Sequence, residues 1–188
     1  MAEKPSFHWP TAEHVARMLR EELAPYCERI EIAGSIRRRK PLVHDIEILF
    51  IPKMVKIKLG LFDEEESSAA DAKLATMLLN GGLDKRPNKL GHFTWGSQNK
   101  LGIHVNSGIP VDFFTTNADR WWNSLVCRTG GKFNNLLITT TAQNRGWSFE
   151  AYGSGFRKIG YGDHHQTTSE RDVFEFIGLP YKDPSERS

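Results

Sequence analysis

Apolar residues fall at helical spacing near the start of the chain, where Ala12, Val15, Ala16, Leu19 and Leu23 make one stripe. Thr11 is placed to cap that helix and Pro25 to stop it, after a loose lead over residues 1–10 whose Phe7 and Trp9 pack on the body. A strand is predicted over about Arg29 to Ala33, ending at Gly34, then a basic turn, then a strand over about Val43 to Ile51 closed by Pro52. Residues 53–67 are polar and charged, with an acidic run from Asp63 to Glu66 that favours the N-terminal dipole of a following helix. Ser67 or Ser68 starts that helix, Ala69, Ala72, Leu74, Ala75, Leu78 and Leu79 lie inside it, and Gly81-Gly82 ends it.

The block from Leu83 to Thr116 reads as glycine-interrupted β-structure, with strands over Leu90 to Trp95, Leu101 to Val105 and Ile109 to Thr115. After Asn117 the composition changes. Trp121 and Trp122 suit packing between two lobes better than base stacking, and the stretch to Thr129 suits a short hinge on which a small lobe closes. A helix is predicted over about Phe133 to Arg145, stopped by Gly146, and a hairpin over Ser148 to Tyr161 turning at Gly153-Ser154-Gly155. His164-His165 reads as an exposed hairpin end, and Thr167 with Glu170 has capping-box spacing before a short helix carrying Val173, Phe174 and Ile177. The expected class is α+β: a mixed sheet with flanking helices over residues 1–118, then a small α/β lobe over 119–188.

At 188 residues with 39% apolar and 26% charged side chains, the chain is long enough to bury a core. A net charge of +2 permits nucleic-acid binding without arguing for it, so local clusters matter more than the total. Cys27 and Cys127 lie far apart in no metal-ligand spacing, which points away from a disulfide framework and toward a reducing, intracellular setting. No apolar run approaches the ~18 residues of a spanning helix and no signal-peptide core is seen, so no membrane partner is expected.

The candidate chemistry lies between Gly34 and Phe50. Gly34 lets backbone approach a ligand closely, Ser35 offers a hydroxyl beside main-chain N–H groups, and Arg37, Arg38 and Arg39 offer forked donors for phosphates. Asp45 and Glu47 follow on a strand, where alternate side chains share a face. Two carboxylates so fixed repel unless a cation joins them, and hard oxygen donors suit Mg²⁺. Alone, an Asp-x-Glu pair reads as a solvated strand edge. What changes the reading is the Gly-Ser ahead of it and Asp112 among Val111, Phe113 and Phe114, an acid that is costly in so apolar a strand unless paired. If the two strands are neighbours, Asp112 completes a cluster of three.

Gly34-Ser35, Asp45-Ile46-Glu47 and Asp112 resemble the pattern of the β-like nucleotidyltransferase superfamily, and the later residues narrow it. Arg128-Thr129-Gly130, Asn135, Gly146, Tyr152-Gly153, Asp172-Val173-Phe174 and Gly178-Leu179-Pro180-Tyr181 resemble the thumb of family X DNA polymerases, in the minimal palm-plus-thumb form of some viruses and phages. The resemblance covers roughly residues 11–187 and implies a transferase that adds deoxynucleotides to a DNA primer 3′-hydroxyl, in short-gap DNA repair, as a monomer. Gapped or primer-template DNA and a nucleoside triphosphate are the implied partners, and two Mg²⁺ ions, or Mn²⁺ in their place, the implied cofactors. A nucleotidyltransferase acting on a small molecule, a protein or an RNA end is the alternative.

By the same resemblance, Gly34, Ser35, Arg38 and the backbone at His44 bind the triphosphate, Asp45 and Glu47 bridge both metal ions, and Asp112 binds the catalytic one near the primer end. Gly130 and Asn135 flank the new base pair, with an unusual cis bond expected between Gly130 and Gly131. Lys132, Arg145, Arg157 and Lys158 are candidates for DNA backbone contacts. The departures also carry expectations. Glu47 stands where the family usually has Asp, Cys127 and Arg128 replace an aromatic pair of the sugar pocket, and Thr139 stands where an Arg often meets the template. The chain leaves no room for a lyase lobe or helix-hairpin-helix elements, so a weaker DNA grip is expected.

Overall fold

The computed structural model describes residues 4–58 and 64–187. A short strand β1 (Phe7–His8) leads directly into helix α1 (Trp9–Leu23), which starts earlier than its stripe implied because Pro10 sits in the first turn, where a missing N–H costs nothing. All five stripe residues, Ala12, Val15, Ala16, Leu19 and Leu23, are buried. Strand β2 (Cys27–Ile32) follows, then a single helical turn α2 (Gly34–Arg37), strand β3 (Leu42–Val43) and strand β4 (Ile46–Pro52). Asp45 therefore stands just before β4 rather than within it.

The polar stretch over residues 53–67 contains two strands that its sequence does not signal. Strands β5 (Met54–Lys58) and β6 (Glu64–Ser68) pair as an antiparallel ribbon in which Lys56 faces Glu66 and Lys58 faces Glu64. The acidic run is thus balanced across the ribbon by lysines; Asp63 lies outside the described residues. Helix α3 (Ala69–Leu79) begins as predicted at Ser68, whose hydroxyl accepts from the Asp71 N–H at 3.0 Å.

Strands β7 (Leu83–Lys85), β8 (Asn99–His104) and β9 (Ile109–Thr115) complete a five-stranded sheet in the order β2-β4-β9-β8-β7. Only the β4–β9 pair is parallel, with α3 in the connection between them. The strand expected over Leu90 to Trp95 is instead a loop with isolated bridges at Phe93 and Trp95; Leu90 is 80% and Phe93 65% exposed, so no buried face fixes a strand there.

One sheet face, with Ile46, Ile48, Phe50, Val111 and Phe113, packs under α1 and α3. The other is covered only in part. Helix α4 (Trp121–Thr129) lays Trp121 and Leu125 over Leu49, Ile51 and Phe114, while the Arg29 guanidinium lies 4.4 Å from the Trp121 ring centroid and 4.2 Å from that of Trp122. This segment read as a hinge because α4 buries Asn123, Ser124 and Thr129 along with its apolar residues, which hides its period.

Helix α5 (Lys132–Asn144) matches its prediction. Strands β10 (Trp147–Phe149) and β11 (Gly155–Lys158) form the expected hairpin, but β12 (His164–Gln166) adds a third strand that was not foreseen. His165 is not a free end: its ring stacks on Phe176 at 3.8 Å and its Nε2 lies 3.0 Å from Asp172 Oδ1. The cap of helix α6 (Glu170–Glu175) is also shifted. Ser169, not Thr167, accepts from the Asp172 N–H at 3.0 Å, while Thr167 donates to Asn123 in the interior at 2.7 Å. Val126, Ile138, Ala142, Phe156, Val173, Phe174 and Ile177 form the core here. No helix among the described residues is long and apolar enough to cross a membrane.

Candidate active site

The parallel register of β4 and β9 places Glu47 opposite Asp112 and, two residues on, Leu49 opposite Phe114. Leu49 and Phe114 lie beneath α4. The acids share their face but stand beyond the helix, so the same strands switch from packed apolar residues to a polar ledge. Asp45, two residues before Glu47, stands at its end.

Gly34 is fitted to this ledge. Its φ is +63°, and a Cβ there would collide with the Glu47 carboxylate. The Ala33 N–H donates to the Glu47 carbonyl at 2.8 Å, tying the glycine turn to the acid strand. Ser35 Oγ and Arg38 Nε are buried with no hydrogen-bond partner. Such orphaned polar atoms beside carboxylates suit a polar ligand that satisfies them. Arg38 is anchored by donation from Nη1 to the Thr129 carbonyl at 2.5 Å.

Burial pushes the Glu47 carboxyl up to about 7, the charge of Asp45 adds to the rise, and Arg128 and Arg38 oppose it. Burial also raises Asp112, against the pull of Arg86, whose guanidinium donates to Asp112 Oδ1. Lys4 Nζ lies 3.8 Å from Asp45. Sequence reasoning missed Arg86: it follows β7 in a stretch with no motif, and only the sheet order brings it to β9. Among the described residues, no three His, Cys, Asp or Glu side chains are gathered to hold a metal as they stand. Their chemistry nevertheless fits a hard divalent cation: two acids on neighbouring strands and one just ahead of them, Asp45 and Asp112 already drawing side-chain cations and Glu47 burdened by like charge.

The remaining expected residues are distributed more widely. Exposed His44 lies on the bend between β3 and β4, its Nδ1 2.9 Å from the Pro5 carbonyl oxygen. Gly130 ends α4 in extended conformation beneath Asn134 and Asn135, and Asn135 donates to the Cys127 carbonyl at 2.8 Å. Cis peptide bonds are absent among the described residues, contrary to expectation at Gly130–Gly131: both residues are extended, and this suffices to turn the chain from α4 into α5. Thr139 returns its hydroxyl to the Asn135 carbonyl at 2.9 Å. Arg128 is sandwiched, 3.5 Å from the Phe114 ring centroid and 5.0 Å from that of Tyr152.

The cations proposed for DNA do not join the ledge. Lys132 opens α5 exposed, and the Arg145 guanidinium packs against Gly178. Arg157 donates to Glu150 at 2.7 Å, and Lys158 lies over Trp147 and Tyr161. The three consecutive arginines also separate. Arg38 faces the acids, Arg37 reaches Thr129 and Glu170, and Arg39 points into a different hollow, so they do not share one ligand as expected.

Residues 124–188 match the family model for the DNA polymerase beta thumb. That part of the chain is similar to the polymerase beta thumb. Over its whole length it shares the fold of Leishmania infantum polymerase beta, solved as a ternary complex, with a TM-score of 0.74 at 19% identity, covering 98% of this chain and 77% of that one. No curated protein matches by sequence. The mixed sheet with flanking helices is thus the fold expected, and the residues similar to the polymerase beta thumb follow the ledge of acids.

Proposed function

We propose that this protein is a DNA polymerase that adds a deoxynucleotide to a primer 3′-hydroxyl by two-metal nucleotidyl transfer, in short-gap repair. The observation that carries this is the facing of Glu47 and Asp112 beside Gly34-Ser35 and Arg38, on a chain whose later residues match the polymerase beta thumb. In this reading residues 1–118 are the palm and 119–188 the thumb. The enzyme is a monomer, and both cysteines being free fits an intracellular setting.

Asp45, Glu47 and Asp112 would hold the metal ions, Mg²⁺ or Mn²⁺ as substitute. Bound there, such ions lower the pKa of the primer hydroxyl and offset the charge that grows on the reacting phosphoryl group. Ser35 and Arg38, with donors left unpartnered, bind the triphosphate and orient it for in-line attack, helped by the backbone at Gly34 and His44. Gly130 and Asn135 flank the new base pair. Lys132, Arg145, Arg157 and Lys158 serve the DNA backbone, the last three after leaving their present packing.

Extension of a one-nucleotide gapped duplex, with each deoxynucleotide and then each ribonucleotide supplied singly, tests this. Incorporation dictated by the template base supports it, and the ribonucleotide lanes report what Cys127 and Arg128 do at the sugar. No extension, with nucleotide binding intact, shifts the weight to an acceptor other than DNA: a small molecule, a protein or an RNA end.

A further inference from the structure

Behind the ledge, between α1 and the α2 turn, lies a hollow of about 380 Å³ lined by Arg17, Arg20, Arg37 and Arg39 together with Glu13 and Glu31. Two of the four guanidinium groups are engaged: Arg17 pairs with Glu13 one helical turn away, and Arg37 with Glu170. Glu31 turns Oε1 onto the backbone N–H of Ile32 at 3.1 Å. Arg20 and Arg39 are exposed and make no ion pair or side-chain hydrogen bond among the described residues.

Arg39 has a second peculiarity. Its φ of 55° makes it the only non-glycine residue in the left-handed region among the described residues. The position closes the α2 turn, with the Arg39 N–H donating to Ile36 at 2.9 Å, and glycine is the residue such a place favours. An arginine here carries a conformational cost and delivers a guanidinium into the hollow.

We propose that Arg20 and Arg39, with Arg17 beside them, form an anion-binding hollow that takes backbone phosphates of the DNA substrate, separate from the nucleotide site. This rests on the reading of the protein as a DNA polymerase. Unpaired forked donors converging on one hollow match phosphate oxygens in charge and geometry. Arg37, one residue from Arg38 of the site, lines the hollow while bonding Thr129 and Glu170.

The test is the salt dependence of binding to gapped duplex DNA, read by fluorescence anisotropy for the wild type, the Arg20→Gln/Arg39→Gln double variant and the Arg20→Lys/Arg39→Lys variant. Loss of two phosphate contacts lowers the slope of log affinity against log salt by about 2 and weakens binding roughly tenfold at moderate salt, and the lysine pair restores most of both. Slope and affinity unchanged in a Gln pair that melts like the wild type overturn the proposal. So does inorganic triphosphate protecting the wild type, but not the Gln pair, from melting while the DNA slope is unchanged, since the occupant is then free polyphosphate. Wild-type protein that binds DNA with the expected slope difference yet extends no primer leaves the hollow standing and removes the polymerase reading. Wild-type protein that binds no DNA overturns both.

Discussion

Arg37 and Glu170, 133 positions apart, meet in a two-pronged ion pair, with Nη1 at 3.1 Å and Nη2 at 2.5 Å from the two carboxylate oxygens. Arg187, wholly buried, closes on the same carboxylate from the other side, its Nη1 2.5 Å from Oε2. Burial alone would raise the Glu170 carboxyl, but the bonds and charges of Arg37 and Arg187 outweigh it and hold the group below its ordinary value. The turn that carries Ser35 is thereby fastened to α6 through one carboxylate held between two guanidiniums.

Replacing Glu170 with Gln leaves Arg187 as a buried charge without a partner, and we expect a loss of about 3–5 kcal/mol in urea melts. Arg37→Gln costs less, because Glu170 keeps Arg187. A Glu170→Gln variant as stable as the wild type would show that the carboxylate does not hold these parts together.

Gly34→Ala puts a methyl group against the Glu47 carboxylate at a φ of +63°. The backbone term alone is roughly 1–2 kcal/mol. Nucleotide affinity should fall with stability, since the methyl displaces Glu47 and the turn bearing Ser35 together. Isothermal titration beside thermal melts checks this, and unimpaired nucleotide binding would mean that the glycine serves the fold alone.

Glu47 predicts a pH dependence. With its carboxyl pushed up to about 7 from an ordinary 4.5, the folded protein holds a proton that the unfolded chain has released between those values. Stability without metal therefore falls as pH rises through that window, by an amount on the order of 3 kcal/mol from this group. Glu47→Gln should flatten the slope in urea melts taken across the window. An equally steep slope in the variant would assign the effect elsewhere.

Arg86 offers Asp112 a cation in advance of any metal. In Arg86→Gln the carboxylate loses that partner, so the metal-free protein should melt lower, while Mn²⁺, followed by electron paramagnetic resonance, should bind several-fold more tightly because it no longer displaces a guanidinium. Weaker Mn²⁺ binding in the variant would mean that Arg86 orients Asp112 for the metal instead of competing with it.

The parts of this arrangement differ in how plainly the sequence carried them. The α1 stripe, the Ser68 cap and the apolar runs of β4 and β9 were legible because one periodicity governs each. Asp45, Glu47 and Asp112 stood out because acids inside apolar strands demand a reason. Helix α4 was hidden by the polar residues it buries. Glu170 was misread because its spacing from Thr167 mimics a capping box, whereas its partners Arg37 and Arg187 are distant in sequence. Arg86 and the separation of Arg37, Arg38 and Arg39 depend on sheet order and on one left-handed residue, neither of which leaves a local signal.

The most direct measurement is single-turnover nucleotide addition by the wild type and by Asp112→Asn, on gapped DNA with Mg²⁺, beside DNA and nucleotide affinities and melting curves for both. We expect the variant to fold, to bind DNA and nucleotide, and to lose addition by at least roughly a thousandfold, because it keeps the shape of the ledge and lacks one of its charges. Addition at a rate near that of the wild type would contradict the assignment of the β4–β9 carboxylates as the reaction centre.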